Sequence, residues 1–213
     1  MELEVKNYTK ELGNQVVLNS INMKFESGNI YGLHGRNGSG KTMLFRAISH
    51  LIHPTDGDIL VDEKSIVNDE YDIRNIGLLI ENPDFYPYLS GIENLKLLYE
   101  INHKKDDHHI EEVLKLVGLE NAMNKKYKAY SLGMKKRLML AQAIMEDQTI
   151  ILLDEPTNGL DEKGVQDLRE ILKQEREKGK LIIIASHNKE DLQILADHIY
   201  QIDQGKILGE INL

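Results

Sequence analysis

Two kinds of apolar pattern divide the chain. From Leu3 to Phe25 apolar and polar residues alternate: Leu3 and Val5, then Val16-Val17-Leu18, then Ile21, Met23 and Phe25, with Gly13-Asn14 as a turn between them. That period predicts half-buried strands. Ile59-Leu60-Val61, behind an Asp56-Gly57 turn, and Ile73 to Ile80 predict two more. Uninterrupted apolar runs at Thr149 to Leu153 and Leu181 to Ala185 predict strands buried on both faces. Helical spacing marks Met43 to Ile52, Leu132 to Met145, Glu162 to Lys178 and Lys189 to Ala196. It also marks the stretch Gly91 to Leu119, where Ile92, Leu95, Leu98 and Tyr99 share one face and Ile110, Val113, Leu114 and Val117 another. Ile199 to Ile202 and Lys206 to Leu208 read as a hairpin around Asp203-Gln204-Gly205. Buried strands separated by a helix predict an α/β fold with a mostly parallel sheet covered on both sides.

The 213 residues suffice for one domain with a small inserted lobe, and 41% hydrophobic residues is an ordinary globular value. A net charge of −9 argues against a nucleic-acid binder, which would carry a basic face. The absence of cysteine excludes disulfides and thiolate metal sites. Met1 to Lys6 is charged and alternating, unlike a secretory signal. Apolar runs stay far below the ~20 residues of a membrane helix, so a soluble, cytosolic chain is expected. The polar link His103 to His109 carries three histidines but lacks carboxylate or thiol partners at ligand spacing, and metal binding is not expected there.

Residues Gly35-Arg36-Asn37-Gly38-Ser39-Gly40-Lys41-Thr42 form a complete G-x-x-x-x-G-K-[ST] phosphate loop. It follows a strand candidate, Ile30 to Leu33, and opens a helical pattern at Met43, which is the context the motif needs. Glycines let several backbone N–H groups converge on one phosphate, and the helix adds its positive end. Lys41 supplies a point charge for the terminal phosphates and Thr42 a hydroxyl for Mg²⁺. The run Ile150 to Leu153 ends in Asp154-Glu155, two carboxylates at the C-terminal edge of a buried strand, where α/β folds bind ligands. Asp154 is then a Mg²⁺ ligand and Glu155 a general base, although such a pair can equally end a strand and cap the next helix.

Three further segments, in order, carry a resemblance: Tyr130-Ser131-Leu132-Gly133-Met134-Lys135 opening a helix, Asp154-Glu155-Pro156-Thr157-Asn158-Gly159-Leu160-Asp161, and Ala185-Ser186-His187. Together with the phosphate loop the chain resembles, over essentially its whole length, the ATP-binding cassette of ABC transporters. The resemblance implies a single P-loop cassette with an N-terminal antiparallel β subdomain, a core lobe about 1–81 and 146–213, and a helical insert about 82–145. It implies ATP and Mg²⁺ as cofactors and ATP hydrolysis coupled to a separate membrane permease. Ser131, Leu132, Gly133, Met134 and Lys135 stand where the family's signature contacts the ATP of a second cassette. Asp161 matches the loop joining the two sites, and His187 the switch histidine. The insert would form a groove for the permease, with Phe85, Tyr86, Tyr88 and Leu89 as candidate contacts. A regulatory or DNA-maintenance ATPase with the same motifs is the alternative, though such proteins usually carry a coiled-coil insertion or tandem cassettes.

Four positions depart from the family. Glu81 replaces the usual glutamine and keeps a Mg²⁺-reaching carboxylate without the amide donor. Leu132 and Met134 replace a glycine and a glutamine of the signature. Met43 replaces a hydroxyl residue near the α-phosphate, leaving its backbone N–H. Leu12 falls where an aromatic residue usually stacks on adenine. Glu81 with a Ser-Leu-Gly-Met-Lys signature looks like the branch serving bacitracin resistance and lantibiotic immunity, which implies export of a peptide antibiotic or another drug. Glu81→Gln is expected to leave ATP binding intact and to change turnover only when the permease is present. Unchanged coupled turnover would make Glu81 incidental.

Overall fold

The computed structural model describes residues 1–80 and 85–211; Glu81 lies outside the described residues. Strands β1 (Glu2–Leu12) and β2 (Gln15–Glu26) pair antiparallel across the Gly13-Asn14 turn. With β4 (Asp56–Val61) and β5 (Lys64–Ser65) they form a sheet in the order β2-β1-β4-β5. The second sheet runs β10-β9-β3-β8-β7-β6, from β3 (Ile30–His34), β6 (Ile76–Leu79), β7 (Ile150–Asp154), β8 (Leu181–Ser186), β9 (His198–Asp203) and β10 (Lys206–Ile211). Its strands are parallel except for the β9–β10 hairpin.

Every residue of β7 and β8 is buried. Successive side chains of a strand point to opposite faces, so an unbroken apolar run feeds two cores. Ile150, Leu152, Leu181 and Ile183 join Leu3, Val5, Phe25, Ile59 and Phe45 on the side of the antiparallel sheet. Ile151, Leu153, Ile182 and Ile184 join the helices on the other side. The first core is closed by α1 (Lys41–Ile48), the second by α4 (Leu132–Ile144), α5 (Glu162–Glu177) and α6 (Lys189–Leu195). Helices α2 (Gly91–Tyr99) and α3 (Asp107–Leu116) pack on α4 and lie in sequence between β6 and β7.

Several boundaries differ from the sequence pattern. Helix α1 stops at Ile48 rather than Ile52, because His50 adopts a left-handed φ of 58° that ends the helical path. The strand expected over Ile73 to Ile80 begins only at Ile76; Ile73–Asn75 is a 3₁₀ turn whose first residue follows Asp72, a side-chain cap on Arg74 N. The His103 to His109 link is shorter than expected, since Asp106 caps α3 and draws His108 and His109 into the helix. Phe85 is packing material: it is buried with its ring 5.2 Å from that of Tyr127. Tyr86 and Tyr88 are exposed. Among the described residues no helix is long and apolar enough to cross a membrane.

The join between β6 and α4 is tight at Gly77, where an added Cβ would lie 1.9 Å from the Ala143 carbonyl oxygen. Backbone cannot give way as a flexible side chain can. Gly77→Ala is expected to destabilise the chain by about 3 kcal/mol, read as a lower urea midpoint at unchanged slope. An unchanged midpoint would mean that β6 and α4 separate freely.

Candidate nucleotide site

The parallel register brings three strand ends level. Leu33 and His34 of β3 face Ala185 and Ser186 of β8, and Asp154 of β7 faces Ala185 from the other side. Beyond those ends the chain turns back toward α1, Glu155 and His187. Gly35 sits so close to β9 that a Cβ would meet the Ile202 carbonyl oxygen at 2.4 Å. Gly40, at φ 112°, starts α1 without a side-chain cap. The first helical hydrogen bond runs from Leu44 N to Gly40 O. The N–H groups of Lys41, Thr42 and Met43 therefore have no helical acceptor, and all three residues line an open cleft. Uncapped amides at the positive end of a helix form an anion site.

The cleft holds about 620 Å³, a size suited to a nucleotide-sized ligand. Asn37, Gly38, Ser39, Gly40, Lys41, Thr42 and Met43 line one wall, and Asp154 and Glu155 another. Gly35 and Arg36 turn their carbonyl oxygens to Lys41 Nζ, at 2.6 and 3.2 Å. Lys41 is buried, which pulls its ammonium below the usual lysine range, while Glu155 and Asp154 oppose that fall. Thr42 Oγ1 donates to Asp154 Oδ2 at 2.5 Å. Burial pushes the Asp154 carboxyl above its usual range, against the Thr42 hydrogen bond. A hydroxyl and a buried carboxylate side by side are hard oxygen donors, and they fit a Mg²⁺ whose other ligands come from phosphate and water. Among the described residues no three His, Cys, Asp or Glu side chains gather into a metal site of their own.

Glu155 has a left-handed φ of 49°, uncommon for a residue with a side chain. Its N–H donates to Ala185 O at 2.8 Å, which anchors the turn. Its carboxylate accepts from Ser186 Oγ at 3.1 Å and His187 N at 2.9 Å, and His187 Nδ1 lies 2.8 Å from the same Oε1. Lys41 Nζ stands 3.9 Å from that oxygen. The structure thus brings Lys41, Thr42, Asp154, Glu155 and His187 into one place.

Other expected residues lie elsewhere. Leu12 ends β1, exposed, and does not line the cleft; Gln15, Val16 and Val17 of β2 do. Gln204 and Gly205 complete the lining, and Gly205 N donates to Ser39 O at 2.8 Å. Sequence reasoning missed all five. The two turns were legible as turns, but nothing local to either signals contact with the phosphate loop. Ser131 caps α4, accepting from Met134 N at 3.3 Å, and the Ser131 to Lys135 segment does not line this chain's own cleft. Lys135 places its ammonium 5.0 Å over the Tyr127 ring. Asp161 caps α5, accepting from Gly164 N at 2.8 Å.

A glycine loop between a parallel strand and an uncapped helix, with two carboxylates ending the neighbouring buried strand, defines a P-loop nucleotide-hydrolysing site. A family model described as ABC transporter matches residues 18–158. The chain is 46% identical to the uncharacterized ABC transporter ATP-binding protein YybJ of Bacillus subtilis, over 96% of this chain and 94% of that protein. It is 38% identical to the bacitracin transport ATP-binding protein BcrA of Enterococcus faecalis, over 99% of this chain and 69% of BcrA. The solved ATP-binding cassette MJ0796, a dimer in a post-hydrolysis state bound to ADP and Pi, superposes with a TM-score of 0.88. It covers 99% of this chain and 98% of that one at 26% identity. The chain belongs to the ABC transporter family, as an ATP-binding subunit and an ATPase.

Lys41 is a buried cation held by two carbonyls and by Glu155 at 3.9 Å, so removing its charge leaves the neighbouring carboxylates uncompensated. Lys41→Met is expected to lower the thermal midpoint without nucleotide and to weaken ATP binding about 10- to 100-fold. Thermal unfolding with and without ATP reads both effects. Equal stabilisation of both proteins by ATP would remove Lys41 from the phosphate site.

Proposed function

We propose that this chain powers a membrane permease that exports a peptide antibiotic or a related drug, working as one of two cassettes arranged head to tail. The reading of transport rests on family membership, and that of the cargo on the likeness to a bacitracin transport ATP-binding protein and on the Ser131 to Lys135 signature. The arrangement that carries the hydrolytic reading is the carboxylate of Glu155 beside His187 at the strand ends that also hold Lys41 and Thr42.

ATP lies with its phosphates on Gly35 to Thr42, and Lys41 exchanges the Gly35 and Arg36 carbonyls for β- and γ-phosphate oxygens. Thr42 and Asp154, with Glu81, would hold Mg²⁺, and the ion would supply neutralisation of phosphate charge. Glu155 accepts a proton from water as its oxygen attacks the γ-phosphorus, and the bond to the ADP oxygen breaks. His187 touches the γ-phosphate and holds Glu155 in place. Val16 takes the position over the base that Leu12 was expected to fill. Ser131 and Gly133 of a second cassette close over the γ-phosphate with the amide end of their own α4, and Asp161 joins the two sites. Tyr86 and Tyr88, both exposed, are the contacts offered to the permease, and the chain works at the cytoplasmic face of the membrane.

Glu155→Gln is expected to cut phosphate release by at least about 100-fold while ATP still binds, so that the ATP-bound dimer accumulates in size-exclusion chromatography. Undiminished turnover in a clean preparation would remove Glu155 as the base.

A further inference from the structure

Two turns meet beside the strand ends. One carries Glu155 away from β7, and the other carries His187 from β8 into α6. Side-chain hydrogen bonds tie them together at two places. At the inner one Ser186 Oγ donates to Glu155 Oε2 and accepts from Asn188 N, both at 3.1 Å. At the outer one Thr157 Oγ1 donates to Asp191 Oδ2 at 2.7 Å. Asn188 connects the two, because its Oδ1 caps α6 on Glu190 N at 2.9 Å and Asp191 N at 3.4 Å. With Pro156 between Glu155 and Thr157, the ring is closed. Ser186 and Thr157 are both buried.

A buried threonine can satisfy its hydroxyl on a carbonyl of its own segment. Thr157 instead reaches a carboxylate 34 positions further along the chain. Asp191 complements the positive end of α6 whether or not Thr157 is there, so the helix does not account for the contact. Among the described residues neither of the two lines the nucleotide cleft. What the bond does is hold the Glu155 turn at a point outside the reacting oxygens. Those oxygens accept from Ser186 Oγ and His187 N. A carboxylate that takes up a proton accepts hydrogen bonds less strongly, so the inner contacts weaken just when Glu155 acts. The backbone of Glu155, at φ 49°, then gains by relaxing. The outer bond keeps its charged acceptor throughout.

We propose that Thr157 and Asp191 are positioning residues for hydrolysis, whose hydrogen bond holds the Glu155 turn against the His187 turn while the Glu155 carboxylate changes charge. Glu155 is two residues from Thr157, and Asp191 is four from His187. A slip at the outer bond therefore shifts the carboxylate relative to His187 Nδ1, now 2.8 Å from Oε1. ATP binding uses the phosphate loop and is left as it is.

The inference rests on the reading of Glu155 as general base, and the two are separable in one experiment. ATP turnover is measured as kcat and KM for the wild-type chain, Thr157→Val, Thr157→Ser, Asp191→Ala and the double variant Thr157→Val with Asp191→Ala. Thr157→Val is also measured together with Glu155→Gln. Thr157→Val and Asp191→Ala are each expected to lower kcat about tenfold with KM within about twofold of wild type. Thr157→Ser, which keeps the hydroxyl, is expected to stay near wild type. The double variant is expected to fall no further than either single one. In the Glu155→Gln background Thr157→Val is expected to change nothing, because the group it positions is gone. Wild-type turnover in Thr157→Val, an equal fall in Thr157→Ser, a double variant that falls by the product of the two, or a further fall in the Glu155→Gln background would each overturn the inference and leave the base standing. Undiminished turnover by Glu155→Gln itself would overturn the base, and this inference with it. If circular dichroism shows that Thr157→Val does not fold, Asp191→Ala takes its place, compared with Asp191→Asn, which keeps an acceptor for Thr157 and is expected to stay near wild type.

Discussion

The register of three parallel strands is the constraint on which the site depends. Leu33 pairs with Ala185, and Asp154 pairs with the same residue from the other side, so β3, β8 and β7 run out together. Hydrophobic patterning does not set this register, because both faces of β7 and β8 are buried and a slip by one residue exchanges one apolar side chain for another. Specific contacts at the strand ends do. Gly32 packs so closely on Leu192 and Ala196 that a Cβ would lie 3.2 Å from each. Gly35 N donates to Ser186 O at 3.3 Å, and Glu155 N to Ala185 O at 2.8 Å. Polar groups beyond the apolar run thus fix where it stops, and the chemistry begins where it stops.

The charges gathered there shape one another. Burial penalises Lys41 and Asp154 in opposite directions, and each is the other's partial remedy. Thr42 donates to Asp154, and the carbonyls of Gly35 and Arg36 accept from Lys41. A set of charges held in this way is already gathered before a phosphate arrives, although the Lys41 ammonium is held by the Gly35 and Arg36 carbonyls until then. The stability lost to desolvation is the cost of that readiness, and it is offset by the two large cores on either side of the sheet.

The phosphate loop was legible because its meaning is local: glycines, Lys41 and Thr42 act within eight consecutive residues between a strand and a helix. Asp154 and Glu155 were legible because a buried strand announces its own end. The wall supplied by β2 was not. Resemblance to the family pointed to Leu12, whereas Gln15, Val16 and Val17 of β2 line the cleft. The β1–β2 pairing shifts between Val5 and Tyr8, between Tyr8 and Lys10, and again before Glu11, so the order of residues alone does not tell which of the two strands' side chains reach it. The turn at Gln204 and Gly205 was equally hidden, since its contact with Ser39 joins residues far apart in the chain. Phe85, Tyr86 and Tyr88 stand in a loop without periodicity, so nothing in their order separates the buried ring from the two exposed ones.

The backbone at Glu155 has a consequence for how the protein can change. Its φ of 49° suits glycine, and a residue with a Cβ there costs about 1 kcal/mol. Backbone strain alone would therefore favour glycine at this position. The carboxylate acts the other way, because Ser186 Oγ and His187 N both donate to it and would lose their acceptor. The two pressures meet at a single codon, and any effort to harden this protein by relieving strain has to treat that position as an exception.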